Sequence, residues 1–418
     1  MRSRFYIFLY LIVHTIILLK PPGTQAENPE WMYFHDIEYA YNITAIDNNI
    51  YLTSGDDYVI RLNLENLEID TIAEIYSVSS IAQDKEKNIW MSTLFSGIYK
   101  YSNGNLENFT SSNSGLPDSR VSDLVIDANN NIWCATKQGL AKFDGSDWEV
   151  YKFEHLEANG YISSLAIDKD GSIWVTNAYS PYRIAKFNNG KFIPYNGENT
   201  GITSINWCQA IDFDSKGNIW FVAGHYLSDS LGGLIRYDGN EWTHYDKDNS
   251  GMANHQLSSI AIDSNDIIWT GGFEGGLHRF DGENWINLNS SNSGLSEDIV
   301  PFISVDNYNN KWLNSVNDGI GKFVLEVYNE NGVLLPTSAN IAIETLKNKE
   351  PFIYPNPASE IITVTDLIKR ERKFKISNLY GQTVLEGTFY HEIDISKLIP
   401  GFYFLNVDDF ILKFVKIE

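Results

Sequence analysis

One short pattern recurs along this chain and limits the folds that it can adopt. An apolar run ends in an Asp, a polar turn follows, and a Trp stands six residues after the Asp. The copies are Asp84/Trp90, Asp127/Trp133, Asp168/Trp174, Asp214/Trp220, Asp263/Trp269 and Asp306/Trp312, and successive Trp residues are 43, 41, 46, 49 and 43 positions apart. A degenerate copy with Tyr in place of Trp runs from Asp47 to Tyr51. Repeats of this length are typical of folds in which each unit packs on its neighbours.

Each copy continues in the same way after its Trp. A strand of the form Gly-apolar-x-Lys/Arg-aromatic follows, as at 139–143, and an Asp-Gly pair then leads into a second aromatic strand that ends at Tyr151. Asp-Gly between alternating segments favours a tight hairpin, because both residues tolerate positive φ. Four short antiparallel strands per repeat indicate a β-propeller blade. The sequence therefore predicts an all-β chain with a seven-bladed β-propeller over residues 27–326, in which the Trp ladder forms core between blades.

The last repeat is incomplete in the linear sequence. Its third strand is expected at 319–323, and no fourth strand follows. Residues 30–35 resemble the fourth strand Glu241–Tyr245 of an earlier repeat. We therefore expect the N-terminal segment to supply the outer strand of the last blade and to close the ring, which removes an exposed sheet edge.

Residues 1–26 have the pattern of a signal peptide. Arg2 and Arg4 precede an apolar run over 5–19, and Thr24-Gln25-Ala26 offers a small-residue cleavage site. The run is shorter than the roughly 20 residues of a typical membrane helix, and no later segment is long and apolar enough to span a bilayer. We therefore expect no transmembrane segment.

The two cysteines, Cys134 and Cys208, fall in non-adjacent repeats. That placement would separate their Cα atoms by more than the roughly 5.5–6 Å of a disulfide, so no disulfide is expected. Two cysteines also cannot make a zinc framework. The turn after Asp168 resembles the start of a calcium loop but lacks the Glu at the twelfth position, and its Asp is expected to accept backbone N–H bonds instead. The sequence thus predicts no metal and no cofactor.

The formal net charge of −23 excludes some partners. Nucleic acids and anionic membrane surfaces require clustered Lys and Arg, so neither is expected to bind here. Residues 327–350 lack the repeat pattern and are predicted to be a linker. Residues 351–418 contain alternating segments at 361–364, 374–376 and 402–405, which indicate a small C-terminal β-sandwich.

The repeat unit resembles the two-component regulator propeller repeats. The resemblance is carried by an Asp-turn-Ile-Trp strand followed by Gly-Leu-x-Arg/Lys-Phe and a polar turn, at 127–143, 214–237 and 263–280. It implies a β-propeller. Members of that family often form periplasmic sensors joined to a membrane span and a histidine kinase. Neither is present in these 418 residues, so a signalling role is not expected.

The C-terminal region resembles the sorting domain of type IX secretion substrates. The matching motifs are Tyr354-Pro355-Asn356-Pro357-Ala358-Ser359, Asn378-Leu379-Tyr380-Gly381, Ile393-Asp394-Ile395-Ser396-Lys397-Leu398, Pro400-Gly401-Phe402-Tyr403 and Lys413-Phe414-Val415-Lys416. The resemblance implies that the type IX secretion machinery recognises residues 351–418. It also implies that the protein crosses the outer membrane and is then secreted or held at the outer cell surface.

Candidate functional residues lie in loops, where the repeats differ. In a propeller, the second-to-third and fourth-to-first strand loops share one face, which is where ligands usually bind. Two second-to-third loops are longer than the others, at 177–182 and 224–231. The candidate ligand-binding residues are Tyr179, Tyr182, Trp207, His225 and Tyr226. Aromatic rings beside polar groups suit a glycan or a peptide, and the alternative is that these rings pack on one another.

Two other functions remain open at this point. Streptogramin lyase and related enzymes are seven-bladed propellers that use His and Glu near the channel, and His225, His255 and Glu274 could form a similar acid–base set. No motif identifies these three residues as catalytic. A protein-interaction platform is the third possibility. We expect an exported binding module for a glycan or peptide, with a lyase-type enzyme as the alternative.

Overall fold

The architecture is taken from a computed structural model of the chain. In the N-terminal and repeat region the structure describes residues 15–16, 31–34, 40–54, 57–152, 162–177, 183–202, 207–224, 232–316 and 323–333. In the C-terminal region it describes residues 352–354, 361–365, 372–378, 382–389, 392–407 and 410–416. The described residues are almost entirely strands and turns, which confirms the all-β prediction.

The strands up to residue 328 form seven antiparallel sheets in the described part of the chain. In chain order they are β1 (Thr15–Ile16), β2 (Trp31–Phe34), β3 (Tyr41–Ile46), β4 (Asn49–Thr53), β5 (Tyr58–Asn63), β6 (Ile69–Glu74), β7 (Val78–Gln83), β8 (Ile89–Thr93), β9 (Ile98–Ser102), β10 (Asn105–Phe109), β11 (Val121–Ile126), β12 (Ile132–Thr136), β13 (Gly139–Phe143), β14 (Trp148–Tyr151), β15 (Ile162–Ile167), β16 (Ile173–Asn177), β17 (Ile184–Asn188), β18 (Lys191–Tyr195), β19 (Cys208–Phe213), β20 (Ile219–Ala223), β21 (Gly233–Tyr237), β22 (Trp242–Tyr245), β23 (Leu257–Ile262), β24 (Ile268–Gly272), β25 (Leu277–Phe280), β26 (Trp285–Leu288), β27 (Ile299–Val305), β28 (Lys311–Val316) and β29 (Phe323–Tyr328). The one-turn helix α1 (Gly197–Thr200) lies between β18 and β19.

The sheets are the blades of a propeller. Blades 1 to 6 are the consecutive strand quartets β3–β6, β7–β10, β11–β14, β15–β18, β19–β22 and β23–β26, each paired in sequential order. The first strand of each blade contacts the first strand of the next, and β27 contacts β3, so the seven blades form a closed ring. This arrangement confirms the predicted seven-bladed propeller.

The ring is closed by the N-terminal segment, as predicted. In blade 7, β2 pairs antiparallel with β29, which continues through β28 to β27. Trp31 stands opposite Tyr328, and their ring centroids are 4.6 Å apart. The short β1, which falls within the predicted signal peptide, pairs with the other edge of β2; the rest of residues 1–26 lies outside the described residues. The outer edge of blade 7 is therefore built from chain that is distant in sequence.

The predicted third strand of the last blade was wrong. It was expected at 319–323, but β29 begins at Phe323 and runs to Tyr328, past the expected propeller end at 326. The cross-strand register explains the shift, because Trp312 faces Val327 whereas Trp133 faces Lys142 in blade 3. Residues 317–322 lie outside the described residues.

The six-residue spacing of the repeat has a direct structural cause. In each blade with an Asp/Trp pair, one Asp oxygen accepts the backbone N–H four residues later and the other accepts the Trp indole N–H. For Asp168 the two distances are 2.9 Å to the Ser172 nitrogen and 3.0 Å to Nε1 of Trp174. The backbone bond was predicted, whereas the indole bond was not. The Asp thus closes the turn and orients the Trp for packing between blades.

The Lys or Arg of the repeat lies over the Trp ring of its own blade. The distances from cation to ring centroid are 5.3 Å for Lys100/Trp90, 5.8 Å for Lys142/Trp133, 5.3 Å for Lys186/Trp174, 5.9 Å for Arg236/Trp220 and 5.9 Å for Arg279/Trp269. Blade 7 has Val327 at this position. Instead, its buried Lys311 lies 4.5 Å from the Trp269 ring and 3.2 Å from Oδ2 of Asp263, which ties blade 7 to blade 6. A cation over Trp is worth about 0.5–2 kcal/mol, more when desolvated.

Neighbouring blades are also joined through side chains of their innermost strands. Oδ2 of Asp123 accepts the backbone N–H of Leu165 at 2.7 Å, and Oδ2 of Asp212 accepts that of Ile262 at 2.8 Å. Burial raises the pKa of both carboxyls, that of Asp212 to about 6. These carboxyls therefore have structural partners across the blade boundary and need no ligand to explain their burial.

The C-terminal region forms two sheets, as predicted. Its strands are β30 (Phe352–Tyr354), β31 (Ile361–Thr365), β32 (Arg372–Ser377), β33 (Thr383–Phe389), β34 (Glu392–Asp394), β35 (Gly401–Val407) and β36 (Phe410–Lys416). One sheet has the order β30-β31-β34 and the other β33-β32-β35-β36. Ile376, Ile395 and Leu405 are fully buried in a common core. The three predicted strand segments coincide with β31, β32 and β35.

The two cysteines are free and buried, in accordance with the prediction. Cys134 packs at the boundary of blades 2 and 3, and Cys208 at the boundary of blades 4 and 5. Burial raises the pKa of both thiols, that of Cys208 to about 12. Over the described ranges, no helix combines the length and hydropathy of a membrane span.

Candidate binding site on the loop face

We call the face that carries the second-to-third and fourth-to-first strand loops the loop face. Four of the predicted ligand residues, Tyr179, Tyr182, His225 and Tyr226, lie outside the described residues. The fifth, Trp207, is half-buried and has a left-handed φ of 50°. Its carbonyl accepts the backbone N–H of Gly224 at 3.3 Å, so Trp207 adjoins the start of the loop that carries His225.

Two glycines bring that loop against blade 6. A Cβ on Gly224 would lie 2.4 Å from the Leu257 nitrogen, and one on Gly232 would lie 2.2 Å from the His255 carbonyl oxygen. Both contacts are with backbone, which cannot rotate away, so only glycine is accommodated at either position. The two ends of loop 225–231 therefore lie directly against His255–Leu257.

The other two catalytic candidates are both at blade 6. His255 is only 5% exposed, and its Nδ1 is buried without a hydrogen-bond partner. Glu274 is exposed in the loop between β24 and β25. Its Oε2 accepts the side-chain amide of Asn254 at 3.0 Å, and Asn254 directly precedes His255. The structure thus places His255 and Glu274 on the same part of the loop face.

Asn254 is itself held by a buried histidine. Its backbone N–H donates to Nε2 of His278 at 3.4 Å, while Nδ1 of His278 lies 3.3 Å from the Thr270 carbonyl. Burial lowers the pKa of His278 to about 4, which keeps the ring neutral and able to accept at Nε2. The chain from His278 through Asn254 restrains the Glu274 carboxylate.

Glu274 lines a cleft of about 590 Å³ between the loops that flank blade 6. The lining residues are Gln256, Phe273, Glu274, Gly275, Ser290, Glu297, Asp298, Ile299 and Val316. Three of them are carboxylates, and there is no lysine, arginine or histidine among the described residues that line it. Asp298 is held in place because its Oδ1 accepts the Ser290 backbone N–H at 2.7 Å. The cleft therefore presents negative charge beside one aromatic ring.

Sequence reasoning missed most of this cleft. It selected Glu274 but not Phe273, Glu297 or Asp298, because their loops are not unusually long. The short motif Phe273-Glu274-Gly275-Gly276 was a signal for this cleft in the sequence. In the structure, the backbone N–H of Gly276 donates to the Asp298 carbonyl at 2.8 Å, which joins the motif to the next loop. The described residues hold no group of three or more His, Cys, Asp or Glu arranged to bind a metal ion.

Comparison with protein families identifies both parts of the chain. Residues 352–416 match the secretion system C-terminal sorting domain, and residues 115–138 match the two component regulator propeller repeat. Both resemblances found in the sequence are therefore confirmed. No curated protein sequence is significantly similar to this chain.

Several solved structures share the fold. The extracellular domain of the hybrid two component system BT3049 from B. thetaiotaomicron is 15% identical, with a TM-score of 0.56 over 90% of this chain. This chain spans only 55% of that one. YCF48 bound to D1 peptide is 12% identical, with a TM-score of 0.51 over 75% of this chain and 99% of its own. The Cps50 (Swd1) β-propeller of Myceliophteria thermophila is 9% identical, with a TM-score of 0.50 over 69% of this chain and 96% of its own.

These likenesses support the fold and do not by themselves indicate a ligand. The sorting domain does carry information about location, because it marks proteins that are exported. The chain is a β-propeller with two-component regulator propeller repeats and a C-terminal secretion sorting domain, and it is secreted or located at the cell surface.

Proposed function

We propose that this protein is an exported binding module whose ligand is a peptide with a basic side chain, bound in the cleft beside blade 6. The observation that carries this proposal is the cleft itself, with Glu274, Glu297 and Asp298 around one aromatic ring. A volume of about 590 Å³ is within the range of small-ligand sites, and it would admit one or two side chains.

The chemistry of the lining favours a cation over other groups. The carboxylates of Glu274 and Asp298 are held by Asn254 and Ser290, so less side-chain entropy is lost when a ligand binds. Phe273 offers a ring face on which a guanidinium or the aliphatic stem of a lysine can pack. The negative field of a chain with net charge −23 also attracts cationic ligands and repels anionic ones.

The predicted loop residues fit the same proposal. Gly224 and Gly232 hold the ends of the loop that carries His225 and Tyr226 against His255–Leu257, next to the cleft-lining Gln256. We propose that Trp207, His225 and Tyr226 extend the binding surface from the cleft toward blade 5, and that Tyr179 and Tyr182 extend it toward blade 4. YCF48, whose fold is similar, was solved bound to D1 peptide, which supports a peptide as the class of ligand.

The binding proposal can be tested with the full-length exported protein. Isothermal titration would use a library of short peptides in matched pairs, with Lys or Arg in one member and norleucine in the other. We expect a preference for the basic member that falls as ionic strength rises. The combined variant Glu274→Gln, Glu297→Gln and Asp298→Asn should lose this preference, whereas a control with Glu241→Gln and Glu283→Gln, on outer hairpin turns, should retain it. Equal binding of both peptide classes would contradict the proposal.

Export is proposed to depend on recognition of residues 351–418 by the type IX secretion machinery. The sorting-domain match over 352–416 supports this. A reporter protein fused to residues 351–418 should reach the outer surface or the medium of a host with type IX secretion. Retention of the fusion in the periplasm would contradict the assignment.

The alternative proposal is an enzyme of the lyase type. It is supported by the placement of Glu274 in the cleft and of His255 on the same blade, next to the ends of the loop that carries His225. An acid–base role for His255 requires access to the substrate, although only 5% of the residue is exposed. Incubation with a streptogramin should yield a ring-opened product that His225→Ala abolishes; an unchanged substrate would count against this alternative.

A further inference from the structure

The loop face carries a second unusual feature on blade 2. Tyr76 and Phe95 are each 61% exposed, although both are large aromatic residues. Their ring centroids are 6.2 Å apart and their planes are inclined by 27°, so the two rings are neighbours in nearly parallel planes. Leu94 is also exposed beside Phe95. An exposed aromatic surface of this kind commonly marks an interaction site.

Tyr76 and Phe95 lie in short loops that are closed by backbone hydrogen bonds. Tyr76 lies in the connection 75–77, where the buried Ile75 donates its N–H to the Asp57 carbonyl at 2.8 Å. The Ser77 carbonyl accepts the N–H of Leu94 at 3.0 Å, which joins the two loops. Phe95 lies in a loop closed by a 2.9 Å bond from the Thr93 nitrogen to the Gly97 carbonyl. These bonds fix the backbone positions from which the two rings project.

The Phe95 part of this surface occupies the same position on blade 2 as the Glu274 part of the acidic cleft does on blade 6. The bond from Leu94 to Ser77 corresponds to a 3.1 Å bond from the Phe273 nitrogen to the Gln256 carbonyl. The bond from Gly97 to the Ser119 carbonyl, at 2.8 Å, corresponds to that from Gly276 to Asp298. Phe95 is therefore the counterpart of Glu274. The ring presents the same loop geometry twice with different chemistry.

We propose that Tyr76 and Phe95 form a stacking platform for a neutral carbohydrate. The faces of aromatic rings carry partial negative charge that attracts the polarised C–H groups on the flat face of a sugar ring. Two neighbouring rings at this spacing suit adjacent sugar units of a chain. Both rings are exposed to solvent, whereas an apolar peptide side chain is bound best in a concave pocket.

Polar groups for the sugar hydroxyls lie in the neighbouring loop. Arg120 and Asp118 form a paired fork, with 2.9 Å from Nε to Oδ1 and 2.7 Å from Nη2 to Oδ2, and Arg120 is half exposed. Arg120 presents its remaining N–H donors to the hydroxyl groups of a sugar, and the Asp118 carboxylate balances its charge, so a charged sugar gains no preference. This site is independent of the cleft proposed above for a basic peptide.

Affinity gel electrophoresis of the full-length protein tests the platform. The gels would contain, one at a time, cellulose ether, xylan, β-1,3-glucan, mannan, starch and dextran. We expect retardation in at least one gel, and the double variant Tyr76→Ala and Phe95→Ala should weaken that binding about tenfold or more, since each ring contact contributes separately. Tyr76→Phe with Phe95→Trp should keep the binding, because flat rings remain.

Two control variants distinguish stacking on this platform from general apolar adhesion. Ile193→Ala with Ile286→Ala removes two exposed apolar residues from outer strands and should leave retardation unchanged. The variant that neutralises Glu274, Glu297 and Asp298 should also bind the polysaccharide normally, so failure of either proposal can be recognised by itself. No retardation in any gel, or equal retardation of the Tyr76→Ala and Phe95→Ala variant, would overturn the inference.

Discussion

The indole Nε1 of Trp312 donates to Oδ2 of Asp306 at 2.7 Å, and both side chains are buried. The other oxygen of Asp306 accepts the backbone N–H of Asn310 at 2.9 Å. The same pair of bonds occurs in all six blades that carry the Asp/Trp motif. A single Asp thus links a local turn to the packing between blades.

Loss of this Asp should destabilise the propeller. Asp306→Ala leaves the buried Trp312 N–H without its acceptor, and an unsatisfied buried donor costs about 1–3 kcal/mol. Urea unfolding would measure the decrease in free energy of unfolding. The matched control is Asp47→Ala in the degenerate repeat, where the Asp forms an exposed ion pair with Lys87 and should contribute less than about 1 kcal/mol. Equal losses in both variants would contradict the proposed role of the indole bond.

The closing strand β2 should contribute more to the stability of the propeller than its short length implies. Deletion of residues 27–36 should lower the melting temperature sharply, because it removes β2 and exposes the edge of β29. Trp31→Ala should cost about 3–5 kcal/mol. Trp148→Ala is the matched control, since Trp148 has the same position on the outer strand of blade 3 without holding the two chain ends together. A deletion variant with an unchanged melting temperature would refute closure by this strand.

Glu326 should make stability depend on pH. It is fully buried, and burial raises its pKa from the usual 4.5 to about 7. The folded state binds the Glu326 proton more tightly than the unfolded state does. The resulting contribution to the free energy of unfolding is therefore complete below pH 4.5 and is lost as pH rises through 7. The shift corresponds to about 3 kcal/mol as an upper figure. Glu326→Gln should flatten the profile of unfolding free energy between pH 5 and 8; a slope equal to that of the native protein would contradict this.

The ends of the candidate ligand loop should tolerate no side chain. Gly224→Ala places a Cβ 2.4 Å from the Leu257 nitrogen, so either backbone must move, at a cost of about 1–3 kcal/mol. We also expect weaker peptide binding, because the loop that carries His225 and Tyr226 is displaced. In Gly401→Ala the nearest atoms would lie 3.7 Å from the new Cβ, so this control should be nearly neutral. Calorimetry and peptide titration measure the two effects.

Both cysteines should react slowly in the native state. Cys134 and Cys208 are fully buried, and burial raises their pKa, so little thiolate is available to a reagent. Ellman's reagent should modify neither thiol in buffer and both in denaturant under non-reducing conditions. Detection of fewer than two thiols after unfolding would indicate a disulfide.

The fold could be predicted from the sequence because the signals for it are local and repeated. The Asp-to-Trp spacing sets a turn, the alternation of apolar residues sets strands, and Asp-Gly pairs set hairpins, all within a few residues of one another. Repetition also made the missing outer strand visible, so Trp31 could be matched with its counterpart Trp242. The same repeat register placed the two cysteines in non-adjacent blades and so predicted that they form no disulfide.

Tertiary structure decided the features that depend on contacts between distant segments. The third strand of blade 7 lies at 323–328, where it pairs with β28 on one side and with the distant β2 on the other, which the motif before Phe323 could not indicate. The acidic cleft arises where the second-to-third loop of blade 6 meets the following fourth-to-first loop. The aromatic platform arises where the second-to-third loop of blade 2 meets the preceding fourth-to-first loop. Phe95 and Glu274 both stand five residues after the repeat Trp, but only the structure showed which residues surround each of them. The sequence by itself therefore determined the blades and the C-terminal secretion sorting domain. The chemistry of the loop face emerged only when the blades were assembled, because each site combines loops whose spacing along the chain says nothing about their distance in space.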